Sequence, residues 1–413
     1  MSRKQHGQVI AALAVALLGC WITESWAQSV PSDNEAEQAR LEKARTLTPH
    51  KRSTVERLIY KLDDDLLLER LLDAPRGVHV RLGGIGEGAG FGVGPAFRHN
   101  ATRFDFKTSA AASMKRYFIG EASLRFPGTI GHNEYIKPRG LYLELYGRRR
   151  DFPQEDFFGL GPDTQVSQRS NYARRDSFGE ITGGFEKGLL ETGVGVGYLD
   201  VSIGTGTDTR MPSSMAIFGP EEMPGAADRS RFVVIQPFVE FATVDRAVND
   251  RAGGIYRLSV AQYRDRDLDR YSFVRWEADV RHFFSFVKDT RTIALRALAV
   301  SANPDADQEV PFYMQPTLGG ARSLRGYRTF RYRDRTAALL QAEYRWRINE
   351  FVTGALFYDT GAVGASFDQL ARFERNYGIG LRAGNRMGSA FRIDFAFGGR
   401  EGHRLLIRFD DAF

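Results

Sequence analysis

Two hydrophobic periodicities divide the chain near Arg76. Upstream, apolar residues recur every three or four positions, as they do on one face of an α-helix; they are Val55, Leu58, Ile59, Leu62, Leu66 and Leu71. Ser53 stands three residues before Glu56, which is the spacing of a capping box at a helix start. We therefore expect a short helical prefix within residues 28–75.

Downstream of Arg76, apolar and polar residues alternate in segments of about ten residues that are separated by Gly, Asn, Asp or Pro. In Phe391–Phe397, Phe and Ile occupy one set of alternate positions, while Arg392 and Asp394 belong to the other set. Sixteen such segments can be placed, near 77–83, 90–98, 103–112, 115–126, 139–150, 172–186, 189–203, 231–243, 253–264, 272–286, 291–302, 336–348, 351–360, 374–384, 389–398 and 403–413.

The number and spacing of these strands predict an all-β transmembrane barrel of sixteen antiparallel strands over residues 76–413. These 338 positions give roughly 21 residues per strand with its connection, a spacing typical of large outer-membrane barrels. Such barrels have long outer loops and short periplasmic turns. With a periplasmic N-terminus, long connections follow odd-numbered strands at 151–171, 204–230 and 303–335, and short ones follow even-numbered strands at 349–350 and 385–388. Residues 127–138 are the main exception.

The N-terminus has the layout of a secretory signal. Arg3 and Lys4 precede an apolar run and a small-residue cleavage site, which predicts a signal peptide over residues 1–27. A lipobox-like sequence ending at Cys20 offers the alternative that the mature chain begins at a lipid-bearing cysteine. Either reading predicts that the protein leaves the cytoplasm.

Composition excludes several other classes. Cys20 is the single cysteine, so the chain cannot form an intramolecular disulfide. No apolar run beyond the signal reaches the roughly 18 to 20 residues of a membrane helix. The net charge of +6 is spread along the chain without a basic block, which argues against nucleic acid as a partner.

We also expect no enzyme, cofactor or metal. The seven histidines form no H-x-x-x-H or H-E-x-x-H pattern, and no convincing catalytic set converges in the predicted register. The Gly-rich stretch Gly83–Gly94 has neither G-x-G-x-x-G nor P-loop spacing. It falls at the first predicted hairpin, where missing side chains weaken strand pairing.

The segment Gly319–Tyr327 reads GGARSLRGY and lies between strands 11 and 12, in the sixth outer loop. Gly319 and Gly320 favour a tight turn that presents Arg325 near its tip. By the alternation of strands 12 and 13, Glu343 and Asp359 point into the lumen. A cation held between two inward carboxylates is therefore geometrically reasonable.

These features resemble the barrel of the BamA/TamA superfamily, also called the bacterial surface antigen family. Its hallmark is a sixth loop folded into the lumen with an Arg-Gly-aromatic tip, here Arg325-Gly326-Tyr327. The resemblance implies that Arg325 meets Glu343 and Asp359. It also implies a seam between strands 1 and 16 that opens laterally.

The end of the chain carries a second resemblance. Phe409 and the terminal Phe413 share one face of the last predicted strand, as in the C-terminal recognition signal of outer-membrane barrel proteins. Assembly and translocation members of the superfamily also carry periplasmic polypeptide-transport-associated (POTRA) domains. Because residues 28–75 number only 48, too few for one such domain, we expect a barrel without them.

The resemblance implies assembly of outer-membrane proteins, or translocation of protein or lipid through the seam. One alternative is a channel or porin-like barrel with the sixth loop as plug. Another is a surface-exposed interaction protein that acts through residues 151–171 and 204–230. The expected partners are outer-membrane lipid and an unfolded barrel client, or a periplasmic protein at residues 53–72. We expect a monomeric barrel in the bacterial outer membrane.

Overall fold

Sixteen antiparallel strands form one continuous sheet. The computed structural model describes residues 76–127, 140–244, 252–287, 290–349, 351–385 and 388–408. The predicted signal peptide (1–27), the helical prefix (28–75) and the C-terminal Phe409 and Phe413 lie outside these described residues.

The strand bounds lie within a few residues of those that the alternation predicts, except around the connection between the fifth and sixth strands. The strands are β1 (Gly77–Gly84), β2 (Phe91–Ala101), β3 (Phe104–Ser113), β4 (Phe118–Phe126), β5 (Gly140–Phe157), β6 (Ser170–Lys187), β7 (Leu190–Thr205), β8 (Ser230–Ala242), β9 (Gly253–Asp265), β10 (Phe273–Phe286), β11 (Arg291–Pro304), β12 (Thr336–Arg347), β13 (Val352–Gly364), β14 (Glu374–Asn385), β15 (Gly388–Phe397) and β16 (His403–Arg408).

Each strand pairs with the next one in the chain, from β1 to β16. The sheet forms a nearly closed barrel, which confirms the sixteen-stranded prediction. The described connections hold a four-residue helix, α1 (Ser214–Ile217), and short 3-10 turns at Val166–Gln168, Phe312–Met314, Phe367–Gln369 and Gly399–Glu401. Among the described residues, no helix combines the length and apolar character of a membrane span.

The two faces of the sheet differ in polarity. On β12, Leu340 is 51% exposed, whereas its neighbour Gln341 is 3% exposed. The same alternation puts large apolar residues on the outer face of other strands, among them Leu356, Ile379, Leu381 and Leu405. A soluble protein rarely exposes so extensive an apolar surface. An apolar exterior around a polar interior is the arrangement of a transmembrane barrel.

Aromatic side chains gather on the outer face near the ends of β8, β10 and β12. Contacting ring pairs include Phe241 with Tyr256, His282 with Phe284, and Tyr344 with Trp346. All of them lie toward the end of the barrel where even-numbered strands connect to odd-numbered ones. An aromatic girdle at this level matches the interface between hydrocarbon and water.

The prediction of a connection at 151–171 was wrong in its bounds, because β5 continues to Phe157 and β6 begins at Ser170. The extra residues are stabilised by an aromatic cluster that alternation alone does not reveal. Phe157 and Tyr172 are fully buried, and both rings contact Phe312 of the sixth loop at centroid distances of 5.2 and 4.9 Å. The two strands therefore extend until their side chains meet this cluster.

The polarity of the outer face leads to a test. Replacing Leu340 with Arg puts a guanidinium group on the lipid side of β12, and we expect the free energy of unfolding in phospholipid vesicles to fall by about 2 to 4 kcal/mol. Leu340→Phe is the matched control and should change it little. Equal stabilities for the two variants would contradict the assignment of this face to lipid.

Candidate functional site

The sixth loop, residues 305–335, is a long hairpin that lies against the polar interior face of the sheet. Its stem is formed by the two-residue strands Thr317–Leu318 and Tyr332–Arg333, which pair antiparallel. At the base of the tip, Gly319 has a φ of +108°, and a Cβ there would stand 2.1 Å from the carbonyl oxygen of Arg328. Only glycine fits this turn without a backbone shift.

The tip of the loop touches the barrel wall at Gly326. A Cβ on this residue would lie 2.7 Å from Cβ of Asn376, an interior residue of β14. Any side chain at this position would push the tip away from the strands. The glycine therefore sets the depth at which the preceding residue, Arg325, meets the interior face.

Arg325 is fully buried between two carboxylates. Its Nε and Nη2 donate to the two oxygens of Asp359 at 2.9 and 2.7 Å, and its Nη1 donates to Glu343 Oε2 at 2.8 Å. The guanidinium carbon also lies 3.5 Å from the centre of the Phe357 ring. A planar fork that meets a carboxylate at two points gives both strength and a fixed orientation.

Burial by itself would lower the pKa of Arg325. The neighbouring carboxylates, Asp359 first and Glu343 after it, outweigh this effect and hold the pKa above its usual range. The guanidinium group therefore stays charged, and the arrangement is a permanent ionic anchor. It does not provide a proton donor or acceptor for catalysis.

The anchor extends beyond the residues that the sequence singles out. Arg382 of β14 donates to both oxygens of Glu343 at 3.0 Å and to Asp394 of β15 at 2.6 Å. Asp394 in turn lies 3.7 Å from Arg325. All these side chains are buried. Four strands, β12 to β15, thus contribute charged groups to one network around the loop tip.

Sequence reasoning missed three residues of this site: Arg382, Asp394, and Arg392, whose Nη1 lies 3.2 Å from Asp394. Their alternation with apolar neighbours indicates the interior face, but it does not indicate the level in the barrel at which they lie. That level depends on the stagger between strands: Arg382 pairs with Arg392, and Gly380 pairs with Asp394. The sequence offers a signal only for Asn376, a polar residue of β14 that pairs with Asp359 on β13.

Comparison with known proteins agrees with this geometry. The profile of the Omp85 superfamily domain matches residues 235–404, which include the sixth loop and its partners on β12 to β15. The expected family resemblance is thereby confirmed. No curated protein matches the chain in sequence.

Two solved structures share the fold of this barrel. BamA from Haemophilus ducreyi lacking POTRA domains 1-3 superposes with a TM-score of 0.58 at 14% identity, covering 81% of this chain and 69% of that chain. CdiB from Escherichia coli superposes with a TM-score of 0.51 at 12% identity, covering 82% of this chain and 62% of that chain. The chain thus spans less than two thirds of the length of CdiB.

The Arg-Gly-Tyr tip also holds the loop through its tyrosine. Tyr327 is buried, and its hydroxyl donates to Glu374 at the start of β14 at 2.7 Å. Further along the loop, Arg331 Nε donates to Glu401 at 2.6 Å, and its Nη groups donate to Thr164 in the connection between β5 and β6. These contacts join the sixth loop to two other connections on the same side of the barrel.

Gly320, at the base of the loop tip, lies beside the first hairpin of the barrel. A Cβ on Gly320 would stand 2.7 Å from Glu87, which accepts a hydrogen bond from the Ala321 amide at 3.3 Å. Glu87 also lies 3.8 Å from Arg408 of β16. One carboxylate after β1 therefore contacts both the sixth loop and the last strand.

All seven residues predicted around the loop are described in the structure. Gly319 and Gly320 form the base of the tip, and Gly326 and Tyr327 hold it against β14. Arg325, Glu343 and Asp359 lie in direct contact. Among the residues that the structure describes, no three His, Cys, Asp or Glu side chains are grouped so that they could hold a metal ion.

The ionic anchor can be tested by removing its cation. Arg325→Ala leaves Glu343 and Asp359 buried without this partner, so we expect the free energy of unfolding to fall by about 3 to 5 kcal/mol. The measurement is the temperature at which the barrel loses its folded electrophoretic mobility. Arg322→Ala, in the same loop and more exposed, is the matched control. Identical transitions for the two variants would remove Arg325 from this structural role.

Proposed function

We propose that this Omp85-type barrel assembles or translocates polypeptide or lipid in the bacterial outer membrane, through the seam between β1 and β16. The observation that carries the proposal is the state of the two end strands. β1 pairs with β2, and β16 pairs with β15, but no ladder joins β1 to β16 among the described residues. The N-terminus is periplasmic in this proposal, so that the long odd-to-even connections face outward.

The composition of β1 supports a weak seam. It contains glycines at 77, 83 and 84. Glycine weakens a strand because it loses more backbone entropy on folding than other residues and has no side chain to pack. Edge strands with free amide and carbonyl groups are ready templates for another strand.

A client strand would use these edges by β-augmentation. Backbone hydrogen bonds of the incoming strand would replace those that a closed seam lacks, so no covalent chemistry is required. Outward apolar residues at the edges, Val78 on β1 and Leu405 on β16, would keep the route open to lipid. Glu87 reaches Arg408 near this seam, and the proposed opening would separate the pair.

The filled interior favours this proposal over an open channel. The sixth loop carries its ionic anchor on one side of the lumen, and Phe312 packs into a large aromatic cluster on the other. That cluster includes Phe157, Tyr172, Phe218 and Phe232. A route through the wall avoids this obstruction, whereas a route along the axis requires the loop to leave.

We further propose that residues 53–72 contact a periplasmic partner or client. The support is the helical spacing of their apolar residues, which gives an amphipathic surface. Such a surface would present an apolar docking face to the partner. Crosslinking from this segment in the native envelope would identify the partner.

Client insertion tests the role of the seam. We expect liposomes that contain the protein to speed insertion of an unfolded barrel client, and Val78→Lys to reduce the rate several-fold because lysine blocks strand addition at an edge. Val196→Lys is the matched control, since Val196 is also outward and half exposed but lies on β7. No acceleration by the wild type with several clients, or equal effects of the two variants, would refute the seam.

Conductance tests the channel alternative. We expect wild-type protein in planar bilayers to show little steady conductance, and deletion of residues 319–327 to raise it, because the deletion removes the anchor that holds the loop in the lumen. Folded mobility of the deletion variant is the control for integrity. Unchanged conductance in a folded deletion variant would contradict a plugging role for the loop.

A further inference from the structure

A cavity of about 460 Å³ lies between the sixth loop and the opposite barrel wall. It is separate from the ionic anchor at the loop tip, since none of Arg325, Glu343 and Asp359 lines it. Its volume is within the range of small-molecule sites, which is roughly 300 to 1,000 Å³. Its charged lining consists of Arg148, Arg150, Arg174, Arg275, Arg333, Glu155 and Glu277.

Positive charge is in excess around this cavity. Five guanidinium groups line it, against the carboxylates of Glu155 and Glu277. A third carboxylate, Asp176, lies within 3.4 Å of three of the arginines and is itself buried. Five cations against three anions leave two positive charges in excess around the cavity.

Part of this arginine set also holds the sixth loop. Arg333 donates to the Phe312 carbonyl at 2.8 Å, Arg174 to the Tyr313 carbonyl at 3.1 Å, and Arg275 to the Met314 carbonyl at 3.3 Å. Backbone carbonyls carry partial charges only. They orient the guanidinium groups toward one turn of the loop without neutralising them, so the excess charge remains.

Four of the lining residues keep a buried polar atom without a hydrogen-bond partner among the described atoms. Three of these atoms can donate, namely Nε of Arg148, Nε of Arg333 and the Tyr313 hydroxyl, and one, Gln315 Oε1, is an acceptor. Buried donors normally have a hydrogen-bond acceptor, and burying a donor without one costs free energy. An acceptor-rich ligand in the cavity would both satisfy such donors and balance the charge.

We propose that this cavity binds an oxyanion, a phosphate or carboxylate group of a small ligand. Guanidinium forks match both groups bidentately. Arg148 and Arg150 from β5, Arg174 from β6 and Arg275 from β10 surround the ligand on the wall side, and the Phe312–Met314 turn covers it from the loop side. Because Arg174 and Arg275 contact both the cavity and that turn, a bound anion stabilises the seated loop.

The proposal is tested by isothermal titration of the purified full-length protein in zwitterionic detergent at low salt, with sodium pyrophosphate and sodium citrate as separate probes. We expect at least one probe to bind, and Arg148→Gln to weaken that binding about tenfold through loss of one charged hydrogen-bonding group. Arg148 is chosen because its contact with Asp176, 3.4 Å, is longer than those of Arg150 and Arg174.

Arg149→Gln is the matched control. Arg149 is the neighbouring residue on β5, but it is exposed on the opposite face and donates to Ser177 at 2.7 Å. Its loss should leave the affinity unchanged. Arg148→Lys, which keeps the charge but loses the fork, should recover part of the affinity. If Arg148→Gln does not reach the folded mobility, Arg275→Gln replaces it.

The outcomes separate the ligand classes. Tighter binding of pyrophosphate assigns the cavity to phosphate groups, and tighter binding of citrate assigns it to carboxylates. Binding of neither probe to the folded wild type, or equal weakening by Arg148→Gln and Arg149→Gln, overturns the proposal. The titration contains no client, so its result is independent of whether the seam admits one.

Discussion

The contact of Arg325 with Asp359 and Glu343 is the constraint on which the arrangement of the interior depends. Folding removes three charged groups, one from the loop and two from the strands, from water. Only close, well-directed hydrogen bonds offset this desolvation free energy. Such a site specifies one position of the loop more strongly than it adds to stability. Displacing the tip by a few ångströms would leave a buried charge without its partner.

A sixteen-stranded barrel is too wide for its wall side chains to fill the lumen. The sixth loop occupies part of it and is held by three sets of contacts: the tip at Arg325, the junction with two other connections at Arg331, and the turn at Phe312–Met314. An arginine donates the hydrogen bonds in each set. Arg325 donates to carboxylates, and Arg331 donates to Glu401 and Thr164. Arg174 and Arg275 of the wall donate to backbone carbonyls of the loop. Its five rigid donors suit contacts across a polar gap.

This distribution of interactions separates a stable region from a weak one. Strands β12 to β15 share the buried charge network with the loop, so they form a well-connected part of the wall. The boundary between β1 and β16 is less connected, because β1 contains three glycines and the described residues show no ladder between the two strands. Glu87 contacts the loop and β16 together. Loop position and seam are therefore physically linked through a single carboxylate.

Alternation at a period of two determined the strands from sequence, because a barrel wall separates lipid from a polar lumen at every strand. It also determined that Glu343 and Asp359 face inward, and the Arg-Gly-Tyr tip identified their partner. Tertiary structure decided what alternation cannot encode. The stagger between strands brings Arg382 and Asp394 to the level of Arg325, and the aromatic cluster around Phe312 extends β5 and β6. Both depend on contacts between residues distant in the chain, which no local pattern records.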